Sequence, residues 1–416
     1  MRITSAVVDP ALLDLPWSTP LERWTADHLV ALPRGLSRHV VRFVRLEHTV
    51  YAAKETDERL AEREYAMLRA LERQEFPSVR AVAVVADRVD DDGHALPAVL
   101  VTRHLRFSLP YRAVFSRTLR PRTLSRMLDA LAVLLVRAHL AGFYWGDCSL
   151  SNVLFRRDAD AFAAYLVDAE TSALRPSLSD GQREEDVEIA QVNIFGEALD
   201  LAAAGALHPS VDPEQLAGDV VRRYRQLWHE ATHEQVVARA DRHHIERRIR
   251  RLNDLGFDVA EVALSTADGG GSYAVRPKVV DVGYHSRRLM RLTGLDAEEN
   301  QARRLLNDLD THRAENGLDD EGQAAHRWMT ECFEPVVRAV PGHLGGKMEP
   351  AELFVQVINH RWELSERIGR DVGMAPALQS FLGDVLAHHP DEQAVLGAAA
   401  PLPADDDRYD QVAPPT

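Results

Sequence analysis

The chain has 416 residues, of which 45% are hydrophobic and 27% charged, and its formal net charge at pH 7 is −15. This apolar content excludes disorder along the whole chain, and the length predicts two or three domains. The acidic balance argues against nonspecific binding to nucleic acid, because such binding depends on neutralising phosphates. No run of about 18 apolar residues is present, so no membrane span is expected.

The cysteine and lysine contents narrow the class of protein further. Cys148 and Cys332 are the only cysteines, too few for a disulfide framework or a four-cysteine zinc site. Residues 1–17 lack the regions of a secretory signal, and we therefore expect a cytoplasmic protein. Only three of the 49 basic residues are lysines, namely Lys54, Lys278 and Lys347. A lysine kept in so arginine-rich a chain indicates a place where a compact ammonium group is needed.

Hydrophobic periodicity predicts a strand-rich start and a helical middle. In chain order, the predicted elements are strands at 40–46 and 49–54, a helix at 57–73, strands at 79–87 and 98–102, a helix at 123–141, strands at 153–155 and 164–167, and helices from 189 to about 240. The polar stretch at 180–186 is predicted to be a solvated linker.

A second domain is predicted to begin near residue 241. Its predicted elements are a basic helix at 242–255, strands at 260–266 and 273–280 joined by a glycine-rich turn, and helices at 298–313, 324–340 and 351–371. Residues 396–416, rich in Pro, Ala and Asp, are predicted to be a disordered tail. The predicted organisation is an N-terminal extension (1–24), a first domain (25–235), a C-terminal α+β domain (241–395) and the tail (396–416).

The predicted helix at 57–73 carries a carboxylate on its apolar face. Glu64 lies four residues from both Leu60 and Leu68, so the helical repeat places it within the buried stripe. An ionised carboxylate there is costly unless it is paired. The candidate partner is Lys54, at the end of the preceding apolar strand. The alternative interpretation is that Glu64 lies at the edge of the stripe and that Lys54 is a surface charge.

Three oxygen-bearing side chains form a second pattern. If the hairpin after residue 152 is centred near Asp160, Asn152 and Asp168 lie opposite one another at its open end, and Asp147 lies on the loop that enters it. Oxygen ligands of this kind suit Mg²⁺ rather than zinc. Each residue also has an ordinary alternative role, because Asp and Asn often cap turns and strand ends.

Taken together, these residues resemble the protein-kinase-like fold. Four motifs carry the resemblance: the strand lysine in Tyr51-Ala52-Ala53-Lys54, the helix glutamate in Arg63-Glu64-Tyr65, the catalytic loop from Trp145-Gly146-Asp147 to Asn152, and the metal motif in Val167-Asp168-Ala169-Glu170. The chain is most similar to the lipopolysaccharide (Kdo) kinase family and to aminoglycoside phosphotransferases, joined to a bacterial C-terminal domain of unknown function.

The resemblance covers about residues 25–235 and implies an α+β, protein-kinase-like bilobal domain. Its N-lobe would be an antiparallel sheet and its C-lobe helical, followed by a mostly helical α+β domain with a β-hairpin. The implied activity is an ATP- and Mg²⁺-dependent phosphotransferase that acts on a hydroxyl of a small molecule or glycan. A protein acceptor is a less favoured version, and no residue supports lipopolysaccharide as the acceptor. The sequence does not define the oligomeric state.

The resemblance also implies roles for five residues. Lys54, held by Glu64, would contact the nucleotide phosphates. Asp147 would orient and deprotonate the acceptor hydroxyl, and Asn152 and Asp168 would hold Mg²⁺. Three backbone positions after the strand at 98–102 would contact the adenine, namely Arg103, His104 and Leu105.

Several positions depart from the kinase pattern. The loop over the phosphates offers Gly35 alone in place of three glycines, Trp145 replaces the usual histidine, and Ala169-Glu170 replaces Phe-Gly. Cys148, beside the expected base, is predicted to be a small buried thiol rather than a nucleophile. These departures leave a second interpretation open: a pseudokinase, a nucleotide-binding module that regulates a partner through its C-terminal domain.

Overall fold

The computed structural model describes residues 1–6, 9–25, 29–30, 39–47, 49–111, 121–238, 242–254, 257–267 and 272–389 of the chain. The strands are β1 (Arg2–Ser5), β2 (Val41–Leu46), β3 (Thr49–Thr56), β4 (Arg80–Ala86), β5 (Arg88–Val89), β6 (Ala95–Leu96), β7 (Ala98–Arg103), β8 (Ser108–Pro110), β9 (Phe143–Tyr144), β10 (Val153–Asp158), β11 (Ala161–Leu166), β12 (Ala173–Leu174), β13 (Gln235–Ala238), β14 (Phe257–Ala267) and β15 (Ser272–Val282). The helices are α1 (Glu58–Arg73), α2 (Pro121–Leu140), α3 (Asp180–Ala203), α4 (Pro213–Thr232), α5 (Arg242–Asp254), α6 (Tyr284–Thr293), α7 (Glu299–Glu315), α8 (Glu321–Trp328), α9 (Glu334–Arg338), α10 (Pro350–Ile368) and α11 (Met374–Ser380).

The first layer is a five-stranded antiparallel sheet with the strand order β1-β4-β7-β3-β2. Side chains alternate across a strand, so Tyr51 and Ala53 of β3 face one side of the sheet and Lys54 faces the other. Tyr51 and Ala53 share a core with apolar residues of the N-terminal segment, namely Leu12, Leu15, Trp17, Leu21 and Trp24. The N-terminal segment therefore covers one face of the sheet, and Lys54 points to the face that α1 covers.

Helix α1 begins after Asp57, whose side chain accepts a hydrogen bond from the backbone N–H of Arg59. Its buried residues Ala61, Glu64, Leu68 and Leu71 recur at three- and four-residue spacing, so they form one face of the helix. Glu64 lies on that face with only 1% of its surface exposed. The carboxylate is thus inside the fold, where the apolar pattern of the sequence places it.

The helical layer contains α2, α3 and α4, and the prediction of a linker at 180–186 is wrong. Helix α3 begins at Asp180 because Ser179 and Gln182 form a capping box, in which each side chain bonds the other's backbone N–H. Asp186, two turns into the helix, is completely buried. The polar residues that suggested a linker are therefore a helix cap and a buried carboxylate.

The helical pattern also ends earlier than expected. Helix α4 ends at Thr232, and Gln235–Ala238 form β13 instead of continuing a helix to about residue 240. The β-branched Val236 and Val237 favour a strand, and β13 pairs antiparallel with β15.

The hairpin of β10 and β11 has a register one residue from the expected one. Val153 pairs with Leu166, and the backbone N–H of Val167 donates to Asn152 O at 3.0 Å. Asn152 therefore lies opposite Val167 and not Asp168. The difference arises because Ala159 and Asp160 form a two-residue turn with a left-handed Ala159 (φ 57°), so the turn is centred half a residue before Asp160.

The second region joins a small sheet to a group of helices. The sheet has the order β13-β15-β14, and the helices α6 to α11 share a core around Trp328, Phe333 and Phe354. The helix expected at 324–340 is interrupted by a π-turn at Met329–Phe333. Residues 268–271 of the expected turn and the tail at 396–416 lie outside the described residues. No helix in the described part of the chain is long and apolar enough to cross a membrane.

The closed end of the β10–β11 hairpin is inserted into the second region. Ala159 belongs to the apolar core of that region, and its backbone N–H donates to Glu352 Oε2 at 2.8 Å. Arg156 lies 2.9 Å from Glu298 and also pairs with Glu349. Asp158 accepts a hydrogen bond from the backbone N–H of Gln301 at 2.8 Å. The two regions are therefore joined through buried polar groups at this turn.

The buried turn predicts a pH dependence of stability. Burial, and then the charge of Glu298, raise the pKa of Asp158 to about 7, so the folded state binds a proton that the unfolded state has released. This contribution to stability is present at about pH 4 and is lost as the pH rises towards 7. Since one pKa unit corresponds to about 1.4 kcal/mol, the loss is up to about 4 kcal/mol.

Urea unfolding at pH 4, 5, 6 and 7 measures the contribution of Asp158 to stability, as the difference in unfolding free energy between wild type and Asp158→Asn. We expect the wild type to lose stability relative to the variant as the pH rises. Asp91→Asn, which removes an exposed carboxylate, is the control for the loss of one charge. A wild-type–variant difference that stays constant from pH 4 to pH 7 would contradict the prediction.

Candidate active site

The structure brings Lys54, Glu64 and Asp168 together. Lys54 Nζ lies 2.8 Å from Glu64 Oε2 and 3.0 Å from Asp168 Oδ2. Each residue comes from a different part of the fold: Lys54 from β3, Glu64 from the buried face of α1, and Asp168 from the segment just after β11. The backbone N–H of Ala169 approaches Glu64 Oε1 at 3.4 Å, so the helix carboxylate contacts both the lysine and the segment that carries Asp168.

Charge in this cluster is unbalanced. Burial, and then the nearby charge of Asp168, raise the pKa of Glu64 to about 7, although Lys54 acts in the opposite direction. Burial alone would lower the pKa of Lys54, but the charges of Glu64 and Asp168 outweigh that effect and raise it. Glu170 is a third carboxylate, 3.5 Å from Lys54 Nζ. Three carboxylates thus surround one ammonium group.

This excess of negative charge fits a divalent cation. Glu64, Asp168 and Glu170 each offer an oxygen, and these oxygens lie within 4.8 Å of one another. Hard cations such as Mg²⁺ take carboxylate and amide oxygens as ligands. The donor set is therefore chemically suited to the metal that the sequence pattern implies.

Asp147 and Asn152 lie together on the loop before β10. Asn152 Nδ2 donates to Asp147 Oδ2 at 3.1 Å and to the backbone oxygen of Asp147 at 2.9 Å. The amide group of Asn152 is thereby oriented with its nitrogen on Asp147, which leaves its carbonyl oxygen as the atom available to a metal ion. Cys148 between them is buried, and burial raises the pKa of its thiol well above the usual value, as expected of an unreactive cysteine.

The loop is anchored by Asp186, which the sequence analysis assigned to a linker. Asp186 accepts hydrogen bonds from the backbone N–H groups of Trp145 at 2.7 Å and Gly146 at 2.8 Å. It also contacts His139 Nε2 at 3.1 Å. Gly146 has φ +75°, and a Cβ there would lie 3.3 Å from Thr171 O, so this turn requires glycine.

Trp145 connects the loop to the strand end that carries Asp168. Its side chain is completely buried, and Nε1 donates to the backbone oxygen of Asp168 at 3.2 Å. Its own backbone oxygen accepts a hydrogen bond from Thr171 Oγ1 at 3.1 Å. The tryptophan that replaces the usual histidine therefore holds Asp147 and Asp168 in one framework.

Helix α3 supplies two further contacts that sequence reasoning missed. Asn193 Nδ2 donates to Asp147 Oδ1 at 2.9 Å, and Glu197 accepts hydrogen bonds from the backbone N–H groups of Leu150 and Ser151 at 2.6 and 2.9 Å. Asn193 and Glu197 lie four residues apart, so one helix face serves the whole loop. The four-residue spacing is visible in the sequence, but no neighbouring residue indicates that this helix face contacts a loop more than forty residues earlier.

Glu170 was also missed as a member of the site, since only its place in the metal motif was noted. Its Oε2 lies 3.0 Å from His39 Nε2 as well as near Lys54. The Asp-x-Glu spacing after a buried strand was a usable signal. The backbone N–H of Glu170 donates to Asp168 Oδ1 at 3.0 Å, and this turn brings both carboxylates to Lys54.

The backbone groups expected to contact the adenine are partly engaged in other hydrogen bonds. The backbone N–H of His104 donates to Val50 O at 2.9 Å within the sheet, so it is not the adenine donor that the hinge prediction requires. The carbonyl of Leu105 accepts a hydrogen bond from Ser108 Oγ at 2.6 Å. Arg103 is the last residue of β7, and Gly35 lies outside the described residues.

The α+β fold carries the features of a protein-kinase-like domain. A strand lysine is paired with a helix glutamate, and an Asp-x4-Asn loop lies beside a strand-end aspartate. Residues 39–193 match the family model of the lipopolysaccharide kinase (Kdo/WaaP) family. Residues 226–386 match a domain of unknown function, DUF4032.

Two solved structures are similar to parts of the chain. WaaP in complex with acyl carrier protein is 16% identical, with a TM-score of 0.36, over 61% of this chain and 99% of that chain. An aminoglycoside-3′-phosphotransferase of type VIII is 15% identical, with a TM-score of 0.33, over 50% of this chain and 88% of that chain. No curated protein matches the chain in sequence.

The anchoring role of Asp186 can be tested by stability. Asp186→Ala removes the acceptor of one buried and one partly buried backbone N–H group, and a buried group costs about 1–3 kcal/mol when left unpaired. We expect the free energy of unfolding to fall by about 3 kcal/mol or more, measured by urea denaturation. Asp200→Ala, at an exposed position of the same helix, should change it by less than about 1 kcal/mol. Equal losses in the two variants would contradict the anchoring role.

Proposed function

We propose that residues 25–235 form an ATP- and Mg²⁺-dependent phosphotransferase acting on a hydroxyl group of a small molecule or glycan. One observation carries the proposal: Lys54 Nζ lies within 3.0 Å of carboxylate oxygens of both Glu64 and Asp168. A lysine held in this way presents its ammonium group beside the metal-binding aspartate. That arrangement suits a nucleotide whose phosphates contact both a cation and the lysine.

The roles of the residues follow from their contacts. Glu64 fixes the position of Lys54, which binds phosphate oxygens. Asp168 and the carbonyl oxygen of Asn152 are the proposed metal ligands, and Glu170 adds a third oxygen. Mg²⁺ at this site would neutralise negative charge on the phosphates during transfer.

Asp147 is the proposed base for the acceptor hydroxyl. Its two carboxylate oxygens accept hydrogen bonds from the amide groups of Asn152 and Asn193. Amide donors stabilise the charged carboxylate without adding a competing proton, and they fix its direction. A carboxylate so held can accept the proton that the hydroxyl loses as its oxygen attacks the phosphorus.

A pseudokinase is the second candidate. The specific observation in its favour is that His104 N–H, expected to face the adenine, is used within the sheet. A nucleotide would then be held chiefly by its phosphates. Nucleotide binding and turnover therefore have to be measured separately.

Nucleotide binding is tested by thermal unfolding with and without Mg-ATP. Ligand at about a hundred times its dissociation constant stabilises a protein by about 2.7 kcal/mol, so we expect a rise of several degrees in Tm. Asp168→Ala should abolish the rise because it removes the proposed metal ligand. The exposed Asp200→Ala should retain it. A wild type that shows no Mg-dependent rise would contradict both the enzyme and the nucleotide-binding pseudokinase.

Turnover is tested by transfer of radiolabelled γ-phosphate into a fractionated cell extract. Asp147→Asn should keep the Mg-ATP-dependent rise in Tm but lower the rate by about 10²–10⁴-fold, the usual contribution of a general base. Asp200→Asn is the matched control, since it makes the same change at an exposed position. A wild type that binds Mg-ATP but labels no fraction would favour the pseudokinase.

A further inference from the structure

A cavity of about 480 Å³ lies between the kinase-like region and the second region. One wall is a face of α2, whose residues Arg126, Ala130, Val133 and Arg137 recur at helical spacing. Strand β11 and the segment after α1 form further walls, and residues 283–287 and 296–300 of the second region complete it. The volume is in the range of small-molecule sites, which often lie between domains.

Arg137 is the unusual feature of this cavity. Within the part of the chain that the structure describes, its guanidinium has no hydrogen bond and no ion pair. Burial lowers its pKa to about 10, although Tyr165, Glu298 and Glu299 act in the opposite direction. A guanidinium carries five N–H donors in a fixed fork. Arg137 is partly buried and lines the cavity, and a desolvated cation without a partner is costly, so the position favours an anion that the protein does not supply.

Three other charged groups around the cavity have ion-pair partners. Arg287 pairs with Glu75 at 2.8 Å. Glu298 pairs with Arg156 at 2.9 Å, and Glu299 pairs with His285 at 2.6 Å.

The remaining carboxylates of the lining do not supply the missing partner either. Asp129 pairs with Arg223 at 2.7 Å, and Asp158 accepts the backbone N–H of Gln301 at 2.8 Å. Asp296 is exposed to solvent. The cavity therefore has carboxylates in its walls, but none lies within ion-pair distance of Arg137.

We propose that this cavity binds a small organic anion, with a carboxylate or phosphate group on Arg137 and an apolar body against the walls. A guanidinium binds either group through two parallel N–H···O contacts. The walls beside Arg137 are apolar and include Phe76, Val133, Leu134 and Phe162. An anion without an apolar body would leave this surface uncovered, so the site favours an aromatic or short hydrocarbon acid over inorganic phosphate.

The cavity is separate from the proposed nucleotide site, since Lys54, Asp147 and Asp168 do not line it. The two are nevertheless joined by the backbone. Pro77 of the cavity wall accepts a hydrogen bond from the N–H of Leu166 at 3.0 Å, and Leu166 lies two residues before Asp168. The inference does not depend on phosphotransferase activity, because binding can be measured without nucleotide.

Calorimetry on the full-length protein in magnesium-free buffer tests the proposal. The probes are benzoate, phenyl phosphate, inorganic phosphate and uncharged benzamide. We expect benzoate or phenyl phosphate to bind with millimolar affinity or better, and benzamide and inorganic phosphate to bind at least tenfold more weakly. Comparison of the two aromatic probes shows which anionic group is preferred. Absence of binding by both up to 20 mM would overturn the proposal.

Arg137→Met should weaken binding of the aromatic anion at least tenfold, whereas Arg291→Met, at an exposed position of α6, should leave it unchanged. Because Arg137 has no protein partner, the variant without ligand should unfold at the wild-type temperature or above it. A fall of several degrees would show that Arg137 serves the fold, and unchanged binding would show that the anion lies elsewhere.

Val133→Trp, which fills the apolar part of the cavity, should abolish binding of the aromatic anion independently.

Discussion

The interaction on which the rest of the site depends is the contact between one ammonium group and three carboxylates. Lys54 lies among Glu64, Asp168 and Glu170, and these groups come from a strand, a helix and the segment after a hairpin. A buried lysine with a single partner would be a structural ion pair. With three, the cluster carries excess negative charge, and that excess fits the proposed binding of a cation and a phosphate chain.

Helix α3 holds the loop that carries Asp147. Asp186 binds the two backbone N–H groups that precede Asp147, and Asn193 binds the carboxylate of Asp147 itself. Trp145 then links the same loop to Asp168. Because each of these contacts is buried or partly buried, the positions of Asp147 and Asp168 are set by the helical core.

The sequence predicts the parts of the site that local periodicity encodes. Strand alternation and the helical stripe place Lys54 and Glu64 on facing surfaces, and the structure has them in contact. The sequence does not predict the roles of Asp186 and Asn193. A buried carboxylate near the start of a helix has the same polar neighbours as a residue of a solvated linker, so the sequence around Asp186 does not show that it is buried. The hairpin register is missed by one residue because a left-handed alanine, Ala159, forms a turn for which glycine or asparagine is the usual signal.

The β10–β11 hairpin has one end at Asn152 and Asp168, the proposed metal ligands, and the other in the apolar core of the second region. A protein made of the kinase-like half alone would expose Ala159 and leave Arg156 and Asp158 without the groups that neutralise or hydrogen-bond them. The second region therefore covers the closed end of the strand pair whose open end carries Asn152 and Asp168. An insertion at this turn would remove Ala159 from that core, and we expect it to destabilise the protein.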